Sequence, residues 1–279
     1  MDKMINYRIK LEYHIKNTLN RILGEPNLSD WEISLGHIDP NTYYDRLTTH
    51  ILHRSLAHNA VCVDVGCFRG DILRQMIACA PSGEFFAFEP IPEFYEMLIK
   101  QFPQPNVHIY NLALSSVQGI SSFNYVVTNP AYSGLKKRRY DCLDEQDVQI
   151  SVKTETLDQI LWQHSNKRVD LIKIDVEGAE LLVLQGAQAT IRRDRPKIIF
   201  EHGQGGTDCY ATTPEEIYQF LCEHCQLRIS LLNMWLLKKP SLNKMQFCDS
   251  VLYRKKFLFY RSSLNAIEDF TNECLKKEY

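Results

Sequence analysis

No run of 18 uninterrupted apolar residues occurs anywhere in the chain, so nothing in it reads as a membrane-spanning helix. A surplus of one charge is also lacking. Against 34 Asp and Glu stand 32 Lys and Arg, a net charge of −2, which removes the broad cationic face that nucleic-acid or anionic-membrane binding needs. The nine cysteines are odd in number and irregularly spaced, so they cannot close into a complete disulfide framework. The opening Met1-Asp2-Lys3-Met4-Ile5-Asn6 mixes charges at once and has no apolar signal-peptide core. Internal repeats and low-complexity tracts are absent too. What is present is the composition of an ordinary globular protein, 44% hydrophobic and 24% charged, with a mean hydropathy of −0.29. At 279 residues it can bury a large core without metals or disulfides. The expectation is a soluble protein of the reducing cytoplasm with no membrane partner; the composition leaves its oligomeric state unknown.

The first 58 residues differ from the rest and are expected to form a helical N-terminal extension or cap. Met4 to Leu23 carries Ile15, Leu19 and Ile22 at helical spacing, although Ile5 to Tyr13 alternates as a strand does. Asp39-Pro40-Asn41-Thr42 reads as a turn and cap before a helix over Tyr43 to Leu56. From residue 60 short apolar runs alternate with helical stretches. Strands are predicted at 60–65, 84–89, 107–110, 169–175 and 197–201, with helices at 72–80, 92–102, 181–191 and 214–223. That alternation implies βαβ units and a parallel sheet. Between the third and fourth strands, 122–128 and 149–154 read as a β-pair joined by a long polar loop. The fold class is therefore doubly wound α/β with a β-insert and a helical N-terminal extension.

In open parallel sheets, ligands sit beyond the carboxyl ends of the strands. The first such end reads Asp64-Val65-Gly66-Cys67-Phe68-Arg69-Gly70. Gly66 permits a tight turn and Gly70 a close backbone approach. A dinucleotide site prefers Gly-x-Gly-x-x-Gly around its pyrophosphate. Here the middle glycine is missing, and an acid that would repel phosphate precedes the first glycine by two residues. The second strand ends in Glu89, well placed to hold both ribose hydroxyls of an adenosine. An adenosine ligand that carries a positive charge and no phosphate is S-adenosylmethionine.

Val63-Asp64-Val65-Gly66, Phe88-Glu89-Pro90, Asn111-Leu112-Ala113-Leu114-Ser115, Thr156-Leu157-Asp158, the string Ile172 to Glu180 (IKIDVEGAE) and Phe200-Glu201 follow one another in a fixed order. In that order, from about residue 60 to about 225, the chain resembles the FkbM family of methyltransferases. The string Lys173 to Glu180 is the most specific part. The resemblance implies a class I, Rossmann-like S-adenosylmethionine-dependent domain, here residues 59–279, and O-methylation of a hydroxyl on a sugar, glycan or natural product. It also implies that Asp64, Gly66 and Gly70 form the methionine-side loop, that Glu89 contacts the ribose, and that Ala113 and Leu114 wall the adenine. Cys67, Phe68, Pro90 and Asp175 complete the expected cofactor set. One departure stands out: the family usually has Ala-Asn where this chain has Cys67-Phe68. Backbone contacts survive that change, but a side-chain hydrogen bond from the Asn does not.

Lys173 and Asp175 share a face of the fourth strand. A buried lysine is costly unless paired, so Lys173 is expected to meet Asp64 or Glu201. Methyl transfer to an alcohol needs alignment and a route for the proton. His202, at the end of the fifth strand, is the first candidate base, because histidine titrates near pH ~6.5; Glu177 and Asp175 are the alternatives. Asp175 and Glu201 could hold a divalent metal with water, but two acids are a thin ligand set and no metal is predicted. Cys222-Glu223-His224-Cys225 has no second Cys-x-x-Cys partner and reads as a helical surface pair of thiols. Lys136-Lys137-Arg138-Arg139, between Tyr132 and Tyr140, is either a solvated loop or a mobile lid gripping an acidic acceptor. Methylation of nitrogen, protein or RNA, and a non-catalytic adenosine-nucleotide-binding module, stay open as alternative functions.

Overall fold

A computed structural model describes residues 40–140, 144–164, 167–202, 207–251 and 255–260. The helix expected over 4–23 lies outside them. Helix α1, Pro40–Ser55, precedes strand β1, Val61–Val65. There follow α2 (Asp71–Cys79), β2 (Glu84–Phe88), α3 (Pro92–Gln101) and β3 (Val107–Tyr110). Strands β4 (Ala113–Leu114), β5 (Gly119–Val126) and β6 (Asp147–Glu155) form the insert, and α4 (Leu157–His164) returns the chain to β7 (Leu171–Ile174). After β7 come α5 (Glu180–Gly186), α6 (Gln188–Asp194) and β8 (Lys197–His202). The last described elements are α7 (Pro214–Tyr218), β9 (Arg228–Leu231), α8 (Leu232–Leu236), α9 (Lys244–Val251) and β10 (Lys255–Tyr260).

Seven strands make one sheet in the order β3-β2-β1-β7-β8-β10-β9. The first five are parallel, and β10 runs antiparallel between β8 and β9. Side chains alternate across this sheet and build two cores. Val61, Val63, Val65, Phe86, Phe88, Ile172, Ile174, Ile198 and Phe200 face α4, α5, α6, α7 and α9. Cys62, Phe85, Ala87, Leu171 and Ile199 face α1, α2, α3 and α8. Helices on both faces of a mostly parallel sheet make the α/β, Rossmann-like class expected from the sequence. Helix α1 seats Tyr43, Leu47, Ile51 and Leu52 in the second core, so this part of the N-terminal segment is packed into the sheet.

The insert is a small second sheet of order β4-β6-β5, with β5 and β6 antiparallel. Its shortest strand, β4, pairs in parallel with β6 and follows β3 along the chain after Asn111 and Leu112. Two details differ from the sequence reading. The helix expected over 181–191 is broken at Ala187, because Asp158 accepts hydrogen bonds from Ala189 N–H and Thr190 N–H at 2.8 Å each and so caps a second helix start. The thiols of Cys222 and Cys225 face inward: Cys225 is buried in the first core and Cys222 packs against it, and burial pushes the Cys222 thiol up to about 12. Among the described residues, no helix is long and apolar enough to cross a membrane.

Candidate functional site

Strand order reverses beside β1, whose neighbours are β2 and β7, and the carboxyl ends of these strands open there into a cavity of about 150 Å³. Gly66, Phe68, Glu89, Pro90, Ala113, Leu114, Asp175 and Glu177 all line it. Eight of the residues singled out from the sequence are thus brought together. The other four lie outside its lining. Asp64 and Cys67 are buried beneath the glycine loop, Gly70 faces α3, and His202 stands off to one side.

The loop after β1 depends on glycine at two positions. Gly66 has φ +73°, and a Cβ there would stand 1.8 Å from the Asp175 carbonyl oxygen. Gly70 has φ +80°, and its Cβ would meet Phe102 at 2.5 Å and Leu98 at 2.8 Å. Phe68 adopts the left-handed region without being glycine, at φ +49°, and its ring lies 4.6 Å from that of Phe94. Four of the N–H groups of this loop bond within the protein. Gly66 N and Cys67 N both donate to Phe88 O at 3.1 Å, Phe68 N donates to Glu89 Oε2 at 2.8 Å, and Gly70 N donates to Cys67 O at 2.8 Å.

Glu89 organises the second wall. Its other oxygen accepts from Ile91 N–H at 2.9 Å, so one carboxylate joins the glycine loop to the start of α3. Burial pushes its carboxyl up to about 7, against the two backbone donors that favour its ionised form. A carboxylate offers about four acceptor sites, which leaves Glu89 lone pairs for a ligand's hydroxyls. Asn111 Nδ2 donates to both Glu89 O and Pro90 O at 3.0 Å, fixing this turn against the wall of Leu112, Ala113 and Leu114.

Beneath the loop, Asp64 and Lys173 are register partners on β1 and β7. Lys173 Nζ stands 3.4 Å from Asp64 Oδ1 and 3.6 Å from Asp175 Oδ2, and it donates to Gly66 O at 3.1 Å. Burial works against the ammonium, but Asp64 and Asp175 outweigh it and hold Lys173 above its ordinary value. Of the two partners foreseen for Lys173, Asp64 is the one it meets. A smaller cleft of about 40 Å³ lies on the α1 side, lined by Asp45, Thr48, Lys173, Asp175 and Glu201 among others. Asp175 therefore borders both spaces.

His202 shares a face of β8 with Phe200. Its ring lies 6.2 Å from that of Phe200 and 6.3 Å from that of Phe247 on α9. It is fully buried, neither ring nitrogen has a hydrogen-bond partner among the described residues, and burial pushes it down to about 4. The cavity also has a side that the sequence reading missed: Ile91, Phe123, Pro130, Ala131, Ser133 and Leu135. Alternation along 122–128 marks Phe123 as an inward residue, and the lid reading of Tyr132 to Tyr140 sets that stretch over the site, but nothing local makes 130–135 a wall of the cavity itself. Among the described residues, no group of three or more His, Cys, Asp or Glu is arranged to hold a metal ion.

A family model described as "Methyltransferase FkbM domain" matches residues 64–228. The chain is 29% identical over 160 residues to methyltransferase sdnD of Sordaria araneosa, covering 47% of this chain and 62% of that protein. It is 27% identical over 146 residues to the 2-O-methyltransferase NoeI of Sinorhizobium fredii, covering 48% of this chain and 60% of that one. It thus spans about 60% of the length of these two relatives. The crystal structure of methyltransferase FkbM from Methylobacillus flagellatus KT superposes with a TM-score of 0.46 at 13% identity, covering 80% of this chain and 56% of that chain.

Proposed function

The chain belongs to the FkbM methyltransferase family, and from that premise we propose that it is an S-adenosylmethionine-dependent O-methyltransferase whose acceptor is a hydroxyl of a sugar, glycan or natural product. The observation that carries this reading is the glycine loop. Its N–H groups at Gly66, Cys67, Phe68 and Gly70 are engaged within the protein, so the loop offers a pyrophosphate a poor cradle of donors, while Glu89 stands ready for two ribose hydroxyls. Phosphate-free adenosine fits such a pocket and a dinucleotide does not. The apolar wall of Ile91, Ala113, Leu114 and Phe123 suits the flat face of adenine. An oxygen acceptor is supported by the similarity to the 2-O-methyltransferase NoeI.

In this reading Glu89 holds the ribose, Ala113 and Leu114 the adenine, and Gly66 and Asp175 the methionine side. When bound, S-adenosylmethionine supplies a methyl group made electrophilic by its sulfonium. The chain's own part is to align an acceptor oxygen and to take its proton. Of the three candidate bases, His202 is packed between two phenylalanines away from the cavity, and Glu177 is tied to Arg138. Asp175 borders both the cavity and the smaller cleft, so an acceptor entering from the α1 side meets it first. We assign the proton to an Asp175 carboxylate oxygen, with Lys173 as the fixed cation beside it.

The test is a calorimetric titration with S-adenosylhomocysteine on wild-type protein and Glu89→Ala. Saturable binding that the substitution weakens by at least about tenfold, the loss of one charge-assisted hydrogen bond or more, is the expected result. A folded wild-type protein that binds no S-adenosylhomocysteine sinks the reading.

A further inference from the structure

Three of the four cations in the run Lys136-Lys137-Arg138-Arg139 pair with other groups of the chain, Lys136 and Lys137 at the exposed surface and Arg138 under cover. Lys136 Nζ donates to Cys209 O at 3.2 Å and stands 5.0 Å over the Tyr210 ring. Lys137 pairs with Asp147 at 2.7 Å. Arg138 pairs with Glu177, and its guanidinium lies 4.7 Å over the Tyr132 ring. Tyr132 in turn stacks on Tyr140, the ring centres 6.4 Å apart and the planes at 9°. The Arg138 side chain is only 8% exposed, so this pair is largely sheltered from water. The Arg138 charge, committed in this way, is poorly disposed to grip an acidic acceptor.

It holds something else in place. The segment just before the basic run folds back on β5: Asn124 N–H donates to Gly134 O at 2.8 Å, Gly134 N–H donates to Asn124 O at 3.1 Å, and Val126 N–H donates to Ser133 Oγ at 3.0 Å. Asn124 is buried and fixed from both ends, donating to the Tyr140 hydroxyl at 2.6 Å and accepting from Gln149 Nε2 at 2.7 Å. So anchored, Pro130, Ala131, Ser133 and Leu135 line the same cavity as Glu89 and Ala113. The segment also rests on the turn after β7: a Cβ on Gly134 would stand 3.7 Å from Glu177 Cβ and 3.7 Å from Val176 O. Glu177 sits there at φ +55°, a left-handed conformation that costs a non-glycine residue energy and persists only when its surroundings hold it.

Resting on the S-adenosylmethionine reading above, we propose that residues 130–135 are the roof of the adenosine site and that the Arg138–Glu177 pair is the latch that keeps it closed. Arg138 is then a positioning residue for the cofactor. Lys136, Lys137 and Arg139 are exposed, as in a solvated loop, while Arg138 alone is the fastening of a wall that the strand ends leave open. One side of the cofactor pocket comes from the β-insert, so the insert sets how long the cofactor stays.

The experiment follows S-adenosylhomocysteine dissociation by stopped flow, and its affinity by calorimetry, in wild type, Arg138→Gln, Arg138→Lys, Glu177→Gln and the Arg138→Gln/Glu177→Gln double variant. Arg139→Gln, at an exposed position, is the control. Arg138→Gln is expected to speed dissociation at least about tenfold, the loss of a charge-assisted hydrogen bond, and Arg138→Lys to recover part of it. The double variant should be no worse than Arg138→Gln alone, because both remove one interaction. Equal dissociation from wild type and Arg138→Gln overturns the latch while leaving the cofactor reading intact. Wild type that binds no ligand overturns the cofactor reading and the roof with it. Should Arg138→Gln fail to fold, wild-type protein carries the test: S-adenosylhomocysteine should slow tryptic cleavage at residues 136–139, and cleavage indifferent to the ligand overturns the proposal.

Discussion

Replacing Gly66 by alanine puts a methyl carbon where the Asp175 carbonyl already stands, at 1.8 Å, in a residue whose φ of +73° disfavours any side chain. Neither strand end can yield easily. Asp175 N–H donates to Val65 O at 3.0 Å, Lys173 Nζ donates to Gly66 O at 3.1 Å, and Gly66 N and Cys67 N share Phe88 O. The left-handed backbone alone costs an alanine roughly 1–2 kcal/mol. Relief of the clash must break about two of these hydrogen bonds, at roughly 1 kcal/mol each. The sum is a loss of about 3–4 kcal/mol, or a fall in melting temperature of roughly 6–16 °C for a chain of this size. Function should suffer separately, since a shift of about 1 Å between a binding loop and its partner strand can cost on the order of a hundredfold. Urea denaturation and S-adenosylhomocysteine titration of Gly66→Ala read the two effects. Gly134→Ala is the comparison: the nearest atoms to its Cβ lie 3.6–3.7 Å away, so its stability should stay within about 0.5 kcal/mol of wild type. A Gly66→Ala protein as stable as wild type and binding equally well would refute this account of the loop.

Three further outcomes are expected. Glu89 is raised to about 7 by burial, and ribose hydroxyls donate to its ionised form, so S-adenosylhomocysteine affinity should rise between pH 6 and pH 8; titration of Glu89→Gln should show weaker binding with that rise gone. His202 is lowered from 6.5 to about 4 by burial, so the unfolded chain binds the extra proton between these values. Stability should therefore fall as pH drops from 6.5 towards 4, by on the order of 3 kcal/mol at about 1.36 kcal/mol per pH unit, and urea midpoints of His202→Phe should lose this component, since no hydrogen bond is broken. Lys173→Met strands the buried Asp64 carboxylate and should cost roughly 3–5 kcal/mol, the usual result of removing one partner of a buried ion pair; a thermal midpoint within 2 °C of wild type would argue that Asp64 is neutral.

The sheet was legible because its strands are short apolar runs, four of the five with an Asp or Glu at or next to the carboxyl end, and period two then assigns their faces. That pattern alone put Lys173 opposite an acid, and the register with Asp64 made the choice. Alternation also sets His202 on the Phe200 side of β8, but only the packing of α9 shows that this side is closed by Phe247. The antiparallel strands β9 and β10 were missed. Arg228–Leu231 is four residues long and is separated from Lys255–Tyr260 by two helices, so no turn signal links them. That residues 130–135 wall the cavity, where the sequence offered only a mobile lid from Tyr132 onward, was missed for a related reason. Asn124 and Gly134 meet through two main-chain hydrogen bonds, and main-chain pairing leaves little trace in side-chain type. Glu89, in contrast, was legible because a carboxylate ending a buried strand has few other uses.

The order of the last strands bears on how the chain is made. Strand β9 leaves the ribosome before β10, yet in the sheet it lies outside it, with no contact to β8 across the ladder. Until residues 255–260 emerge, β8 is an edge strand, and among the described residues β9 is held by the bridge between Ile229 and Leu242 and by the packing of Ile229 in the first core. The nascent protein must therefore keep an unpaired apolar edge in view through the synthesis of α8 and α9, and it completes its sheet by insertion rather than by addition at the rim.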